Sequence, residues 1–176
     1  PFNPPHLLPV VEVVPGERTA PAVVDAAVDF LRRAGKTPVR LRREVPGFVV
    51  NRLQLALLRE AWALLDAGVA SAEDIDASVR GSLGVRLAGI GPLRATDFAG
   101  LDIWARIAAN VQLDSGGALP PTMQRLLDMG HKGAKTGRGF YDDYGSPGAR
   151  EALVAARDRA SMHVLQLGRM PRANDP

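Results

Sequence analysis

The chain has 176 residues, 46% of them hydrophobic and 23% charged, enough apolar material to bury the core of one domain, or of one domain and part of a second. It contains no Cys, which excludes a disulfide scaffold, a thiol nucleophile and thiolate metal sites and suits a reducing, cytoplasmic compartment. The net charge of +3 comes from Arg scattered along the chain, a weak basis for nucleic-acid binding, and no apolar run reaches the roughly 18 residues of a membrane span.

Residues 7–14 are almost continuously apolar, broken by Pro9 and Glu12 and closed by Pro15-Gly16, which predicts a buried strand and a turn. Glu12 stands out there. A lone carboxylate in an apolar strand is costly unless it finds a partner or sits at the strand end facing water. A helix then begins at Thr19 or Ala20, with Pro21 in its first turn. Val23, Val24, Ala27, Val28, Phe30 and Leu31 form one broad apolar face before Gly35 stops it. Val39 and Leu41 alternate with Arg40 and Arg42, predicting a second strand. Strand, helix, strand is a βαβ unit, normally the edge of a larger α/β domain.

The character changes after Pro46-Gly47. Residues 48–67 are apolar on all sides and predict the central helix of an all-α domain, ended by Gly68. Asn51 lies in its first turns, where Asn lowers helix propensity and needs either an interhelical hydrogen bond or a functional reason. Ser71 with Asp74 resembles a capping box opening a short helix, and the glycine-rich segment 81–92 reads as a loop or broken helix. Helices are expected over 101–113 and 121–129, separated by a turn at Ser115-Gly116-Gly117. A basic, glycine-rich loop at 130–139 precedes Phe140-Tyr141, a final amphipathic helix covers 148–167, and the tail from 168 reads as frayed. The loop contains Gly, Lys and Thr but lacks the spacing of a phosphate-binding P-loop. With three well-separated His and no Cys, no metal ligand set is expected.

Five blocks occur in order: Phe2-Asn3-Pro4-Pro5; Leu8-Pro9-Val10-Val11-Glu12-Val13-Val14; Pro46-Gly47-Phe48-Val49-Val50-Asn51-Arg52-Leu53; Gly91-Pro92-Leu93 with Asp97 and Gly100-Leu101-Asp102; and Lys135-Thr136-Gly137-Arg138-Gly139-Phe140-Tyr141. In order and approximate spacing they resemble the carboxyl-terminal part of the 3-hydroxyacyl-CoA dehydrogenase family. Asn3-Pro4-Pro5 and Leu83-Gly84-Val85-Arg86 also resemble its L-gulonate 3-dehydrogenase and lambda-crystallin relatives, which act on free hydroxy acids. The resemblance implies a mainly α fold, with an all-α carboxyl-terminal domain preceded by a short βαβ remnant of a Rossmann-type α/β domain. The expected limits are 1–44 for the end of the NAD-binding domain, 46–167 for the helical dimerisation and substrate domain, and 168–176 for the tail.

The resemblance further implies an NAD-dependent oxidoreductase that converts L-3-hydroxyacyl-CoA to 3-oxoacyl-CoA and works as a homodimer through its helical domain. A free hydroxy-acid dehydrogenase or a purely structural dimerisation domain are the alternatives. The family's catalytic histidine directly precedes the aromatic-Asn-Pro block and so would stand before Pro1, outside this sequence. His6 lies too far along to take its place, and His131 and His163 have less claim. The chain alone is therefore expected to be inactive, and its glycine-rich phosphate turn is expected upstream. Glu12 matches the carboxylate that pairs with that histidine. Asn51 matches an amide that bonds the substrate's reacting oxygen or the histidine. Asn3 and Lys135 match cofactor-side residues; otherwise Asn3 is a turn former and Lys135 a solvated loop lysine. The final helix packs on its own domain or on a second subunit.

Overall fold

A computed structural model describes residues 8–111, 119–146 and 148–167. Asn3 and its neighbours, His6, the turn at Ser115-Gly116-Gly117 and the tail from 168 lie outside these residues. The chain divides into two compact units, Pro1–Ser71 and Ala72–Pro176. Among the described residues the fold is mainly helical, and no helix is long and apolar enough to cross a membrane.

The first unit opens with strand β1 (Val10–Val13), helix α1 (Pro21–Arg33) and strand β2 (Thr37–Arg40). The two strands pair in parallel, with Val10 opposite Thr37 and Glu12 opposite Val39. A parallel pair cannot be closed by a tight turn, and α1 is the crossover that joins them. Pro21 occupies the start of α1, where a missing N–H costs nothing, and Val24 and Val28, one helical turn apart, are buried. Helix α2 (Val50–Asp66) follows, within the span expected from its apolar run. None of its residues is buried, and Leu53, Leu55, Leu57, Trp62 and Leu65 remain exposed.

The second unit begins with helix α3 (Ala72–Ser78). Of the segment expected as a loop or broken helix, a π-helical stretch, Val79–Gly84, runs directly into helix α4 (Val85–Gly89), and the helix then breaks at the extended Ile90 and Gly91. A wider π turn carries Gly81 and Gly84 within the helical path, so these glycines do not make a loop. Helix α5 (Pro92–Ala99), not anticipated from the sequence, starts with Pro92 in its first turn and stops at Gly100. Helix α6 (Leu101–Asn110) ends short of the expected limit, because Val111 is already extended. Helix α7 (Pro121–Asp128) leads into a 3-10 turn, Ala134–Thr136, and then to helix α8 (Ala149–Leu167).

Helix α8 packs on α4 within its own unit. A Cβ on Gly89 would lie 2.9 Å from the Arg157 carbonyl oxygen and 3.1 Å from Ala160 Cβ, so the contact is a near backbone-to-helix approach. Ser161 donates to the Val85 carbonyl at 3.4 Å. Residues Leu153, Arg157, Ala160, Ser161 and Val164 form the half-buried stripe that this requires, at helical spacing.

Candidate active site

In the first unit, β1 delivers Glu12 to the start of α2. Its Oε1 accepts hydrogen bonds from the Val49 N–H at 2.8 Å and the Val50 N–H at 3.1 Å. A helix leaves its first N–H groups without intrahelical acceptors, and α2 has neither a side-chain cap at Val49 nor an acidic residue in its first turn. A carboxylate from a distant strand therefore does the capping, and its charge lies where the helix dipole favours an anion. Among the described residues, the other carboxylate oxygen of Glu12 accepts no hydrogen bond.

The approach to α2 is sharply bent. Phe48 N–H bonds the Val45 carbonyl at 2.9 Å, closing a turn with Pro46 and Gly47 at its centre. Gly47 has φ 79°, as the third position of a Pro-Gly turn demands. Phe48 then follows with φ 50°, the one non-glycine residue with positive φ among the described residues. Two successive left-handed residues reverse the chain so that Val49 and Val50 present their N–H groups to Glu12. Asn51 is the next residue, exposed on the first turn of α2.

The second unit is organised around Asp97 of α5, which is completely buried. Its carboxylate accepts the N–H groups of Phe140 and Tyr141, each at 2.8 Å, and the Tyr144 hydroxyl at 3.1 Å. These three donors are what make a buried carboxylate tolerable. The loop can approach because two of its residues lack side chains: a Cβ on Gly133 would run into the Asp97 backbone, and one on Gly139 into its carboxylate. Gly133 also holds φ 91°. Burial pushes the Tyr144 phenol far above its ordinary value, and the charge and hydrogen bond of Asp97 push it the same way. Arg94 covers this corner, 3.8 Å above the Tyr141 ring, while bonding both oxygens of Asp143.

Lys135 sits on the 3-10 turn of this loop and forms an ion pair with Asp102, in the first turn of α6. The contact is that of an ion pair rather than a directed hydrogen bond to Asp102 Oδ1, an atom shielded from water. The ammonium holds the Asp102 carboxyl below the usual aspartate range despite an opposing desolvation. Both side chains remain about a third exposed, 39% and 34%.

The structure thus brings Glu12 and the Asn51 segment together in one unit and places Lys135 in the other. Asn3 lies outside the described residues. Among the described residues no group of His, Asp or Glu is placed to hold a metal ion. Asp97 and Tyr144 carried no role in the sequence reading. Asp97 lay among Arg94 and Thr96 in the sequence, without the continuous apolar surroundings that marked Glu12.

Residues 47–143 match the model of the 3-hydroxyacyl-CoA dehydrogenase C-terminal domain, and residues 1–45 that of the 3-hydroxyacyl-CoA dehydrogenase NAD binding domain. The chain is 38% identical over 167 residues to the 5-formyl-3-hydroxy-2-methylpyridine 4-carboxylate 5-dehydrogenase of Mesorhizobium japonicum, covering 94% of this chain and 53% of that protein. It is 41% identical, over a 193-residue alignment, to the L-carnitine dehydrogenase of Streptomyces griseus, covering 98% and 52%. A solved structure, the 3-hydroxyacyl-CoA dehydrogenase of Archaeoglobus fulgidus, superposes with a TM-score of 0.77 at 32% identity, over 95% of this chain and 57% of that one. The chain spans about half the length of the curated relatives it matches.

Proposed function

The chain belongs to the 3-hydroxyacyl-CoA dehydrogenase family, and from that premise we propose that the whole protein is an NAD-dependent dehydrogenase of a hydroxy acid. Residues 1–44 are then the end of a Rossmann-type NAD-binding domain and 46–167 the helical domain that completes the cleft. A two-stranded parallel sheet buries too little to stand alone, which supports further strands in the whole protein. The observation that carries the reading is the Glu12 carboxylate, anchored by one oxygen to the start of α2 beside Asn51, with its other oxygen open.

The described residues fit the reacting end of the cofactor and not its phosphates. The connection from β1 to α1 has Pro21 in the first turn, without an N–H to offer, and Glu17 adds a negative charge to it. When bound, NAD supplies the hydride acceptor. Glu12, through its open oxygen, orients the histidine that by resemblance precedes Pro1 and stabilises the imidazolium formed when that histidine takes the hydroxyl proton. Asn51 donates to the reacting oxygen of the substrate. By resemblance Asn3 and Lys135 are cofactor-side residues, and Asp102 holds the Lys135 ammonium in an ion pair.

A free hydroxy acid is favoured as substrate because relatives aligned over more than nine-tenths of this chain are named for substrates without CoA. L-3-hydroxyacyl-CoA is the second reading, supported by the name of the superposing Archaeoglobus enzyme. The exposed apolar residues of α2, Leu53, Leu57 and Trp62 among them, support a homodimer through the helical domain. The test is NADH formation by the full-length protein with L-carnitine, L-gulonate and L-3-hydroxybutyryl-CoA. Turnover of one of the first two is expected, with kcat falling about a hundredfold in Glu12→Gln. Turnover of the thioester alone selects the second reading. Absence of both NADH binding and turnover refutes the enzyme.

A further inference from the structure

We propose that Glu12 has a second role beyond the one its family match implies: it is the positioning residue that sets the first turn of α2 and, through it, Asn51. Helix α2 supplies no cap of its own, since Val49 makes no side-chain bond and the first turn is without acidic residues. The two N–H groups that need an acceptor are those of Val49 and Val50, and both take Oε1 of Glu12. The bond crosses the turn at Pro46-Gly47-Phe48, where Gly47 and Phe48 are both left-handed. A bulky residue does not hold that conformation unaided. The turn is restrained on one side by the bond from Phe48 N–H to the Val45 carbonyl and on the other by Glu12.

The consequence is a division of labour within one carboxylate. One oxygen fixes where α2 starts, and so where Asn51, the residue directly after Val50, stands on its first turn. The other is left for the imidazole. A single side chain thereby links the orientation of the base to the placement of the amide that meets the substrate. This deepens the proposed function and rests on it where Asn51 is concerned. The cap itself does not depend on that reading.

Glutamine separates the two roles, because its amide oxygen still accepts the two N–H groups while the negative charge is gone. In the full-length protein, hydrogen exchange of a peptide covering 46–53 and steady-state kinetics are measured for four variants: Glu12→Gln, Glu12→Ala, Asn51→Ala and the Glu12→Ala/Asn51→Ala double variant. Glu12→Gln is expected to keep wild-type protection and KM while losing kcat. Glu12→Ala should exchange about fivefold faster at Val49 and Val50, the effect of a lost cap, and raise KM about as much as Asn51→Ala does. The double variant should raise KM no further. Wild-type exchange in Glu12→Ala overturns the cap whether or not the protein turns over a hydroxy acid. Faster exchange with KM effects that multiply overturns the placement of Asn51 but leaves the enzyme reading standing. Should Glu12→Ala not fold, Glu12→Asp, one methylene too short to reach both N–H groups, gives the same two readouts.

Discussion

Replacing Asp97 by Asn is nearly isosteric, so its cost comes from hydrogen-bond bookkeeping alone. The carboxylate accepts two main-chain N–H groups, of Phe140 and Tyr141, through different oxygens, and the Tyr144 hydroxyl through the second. An Asn has one acceptor oxygen. Whichever way its amide is turned, the NH2 faces one of the two N–H groups, two donors in opposition. The Tyr144 hydroxyl can rotate and accept, but a main-chain N–H cannot. The loss is one charge-assisted bond, about 1.5–3 kcal/mol, and a part-buried N–H left without a partner, about 1–3 kcal/mol. Removing a buried charge returns some desolvation free energy, and the net destabilisation is about 3 kcal/mol. For a unit of this size that lowers Tm by on the order of 10 °C, read by thermal and urea denaturation with circular dichroism. A change within about 0.5 kcal/mol of wild type would refute Asp97 as the centre of this loop.

Tyr144 ties the same cluster to pH. Its phenol is raised by burial first, then by Asp97, so above pH 10 the unfolded chain releases a proton that the folded one keeps, and stability falls as pH rises from there. Tyr144→Phe should flatten that alkaline decline; an unchanged slope in urea titrations at high pH contradicts the assignment. Gly89→Val drives a side chain into the Arg157 carbonyl and Ala160, and should separate α8 from α4. Limited proteolysis should then cleave near 148 faster than in wild type, while equal rates would mean that the two helices do not touch. Asp102 titrates low because the Lys135 ammonium lies against it, so Lys135→Met should move its carboxyl titration upwards, followed by carbon NMR. The stability linked to this pair is present above the ordinary aspartate value, 3.8, and is lost as pH falls through the lower folded value.

Much of this protein is written in short-range pattern. The apolar run with Pro15-Gly16, the α1 face from Val23 to Leu31 and the alternation at Val39 to Arg42 lie at or close to β1, α1 and β2, because periods of 2 and 3.6 residues act over neighbouring positions. The long apolar stretch of α2 was equally legible. The glycine-rich segment is a broken helix rather than a loop, and its π-to-α path through Gly81 and Gly84 depends on an irregular helical turn that no residue count signals. Helix α5 had its end markers in Pro92 and Gly100, but its interior, with Asp97 in the middle, does not show the usual pattern.

The sequence by itself determined that Glu12 needed either a partner or water, since an isolated carboxylate among Val10, Val11, Val13 and Val14 is costly to bury alone. Only the tertiary structure decided what that partner is: two main-chain N–H groups at the start of α2, brought back by the left-handed Gly47 and Phe48. The same holds for Asp97, whose donors come from a loop far along the chain and reach it because Gly133 and Gly139 leave room. A polar group's demand is a property of its own chemistry and immediate neighbours. What meets that demand depends on the path of the whole chain, and main-chain donors, common to every residue except proline, leave no mark in the order of side chains.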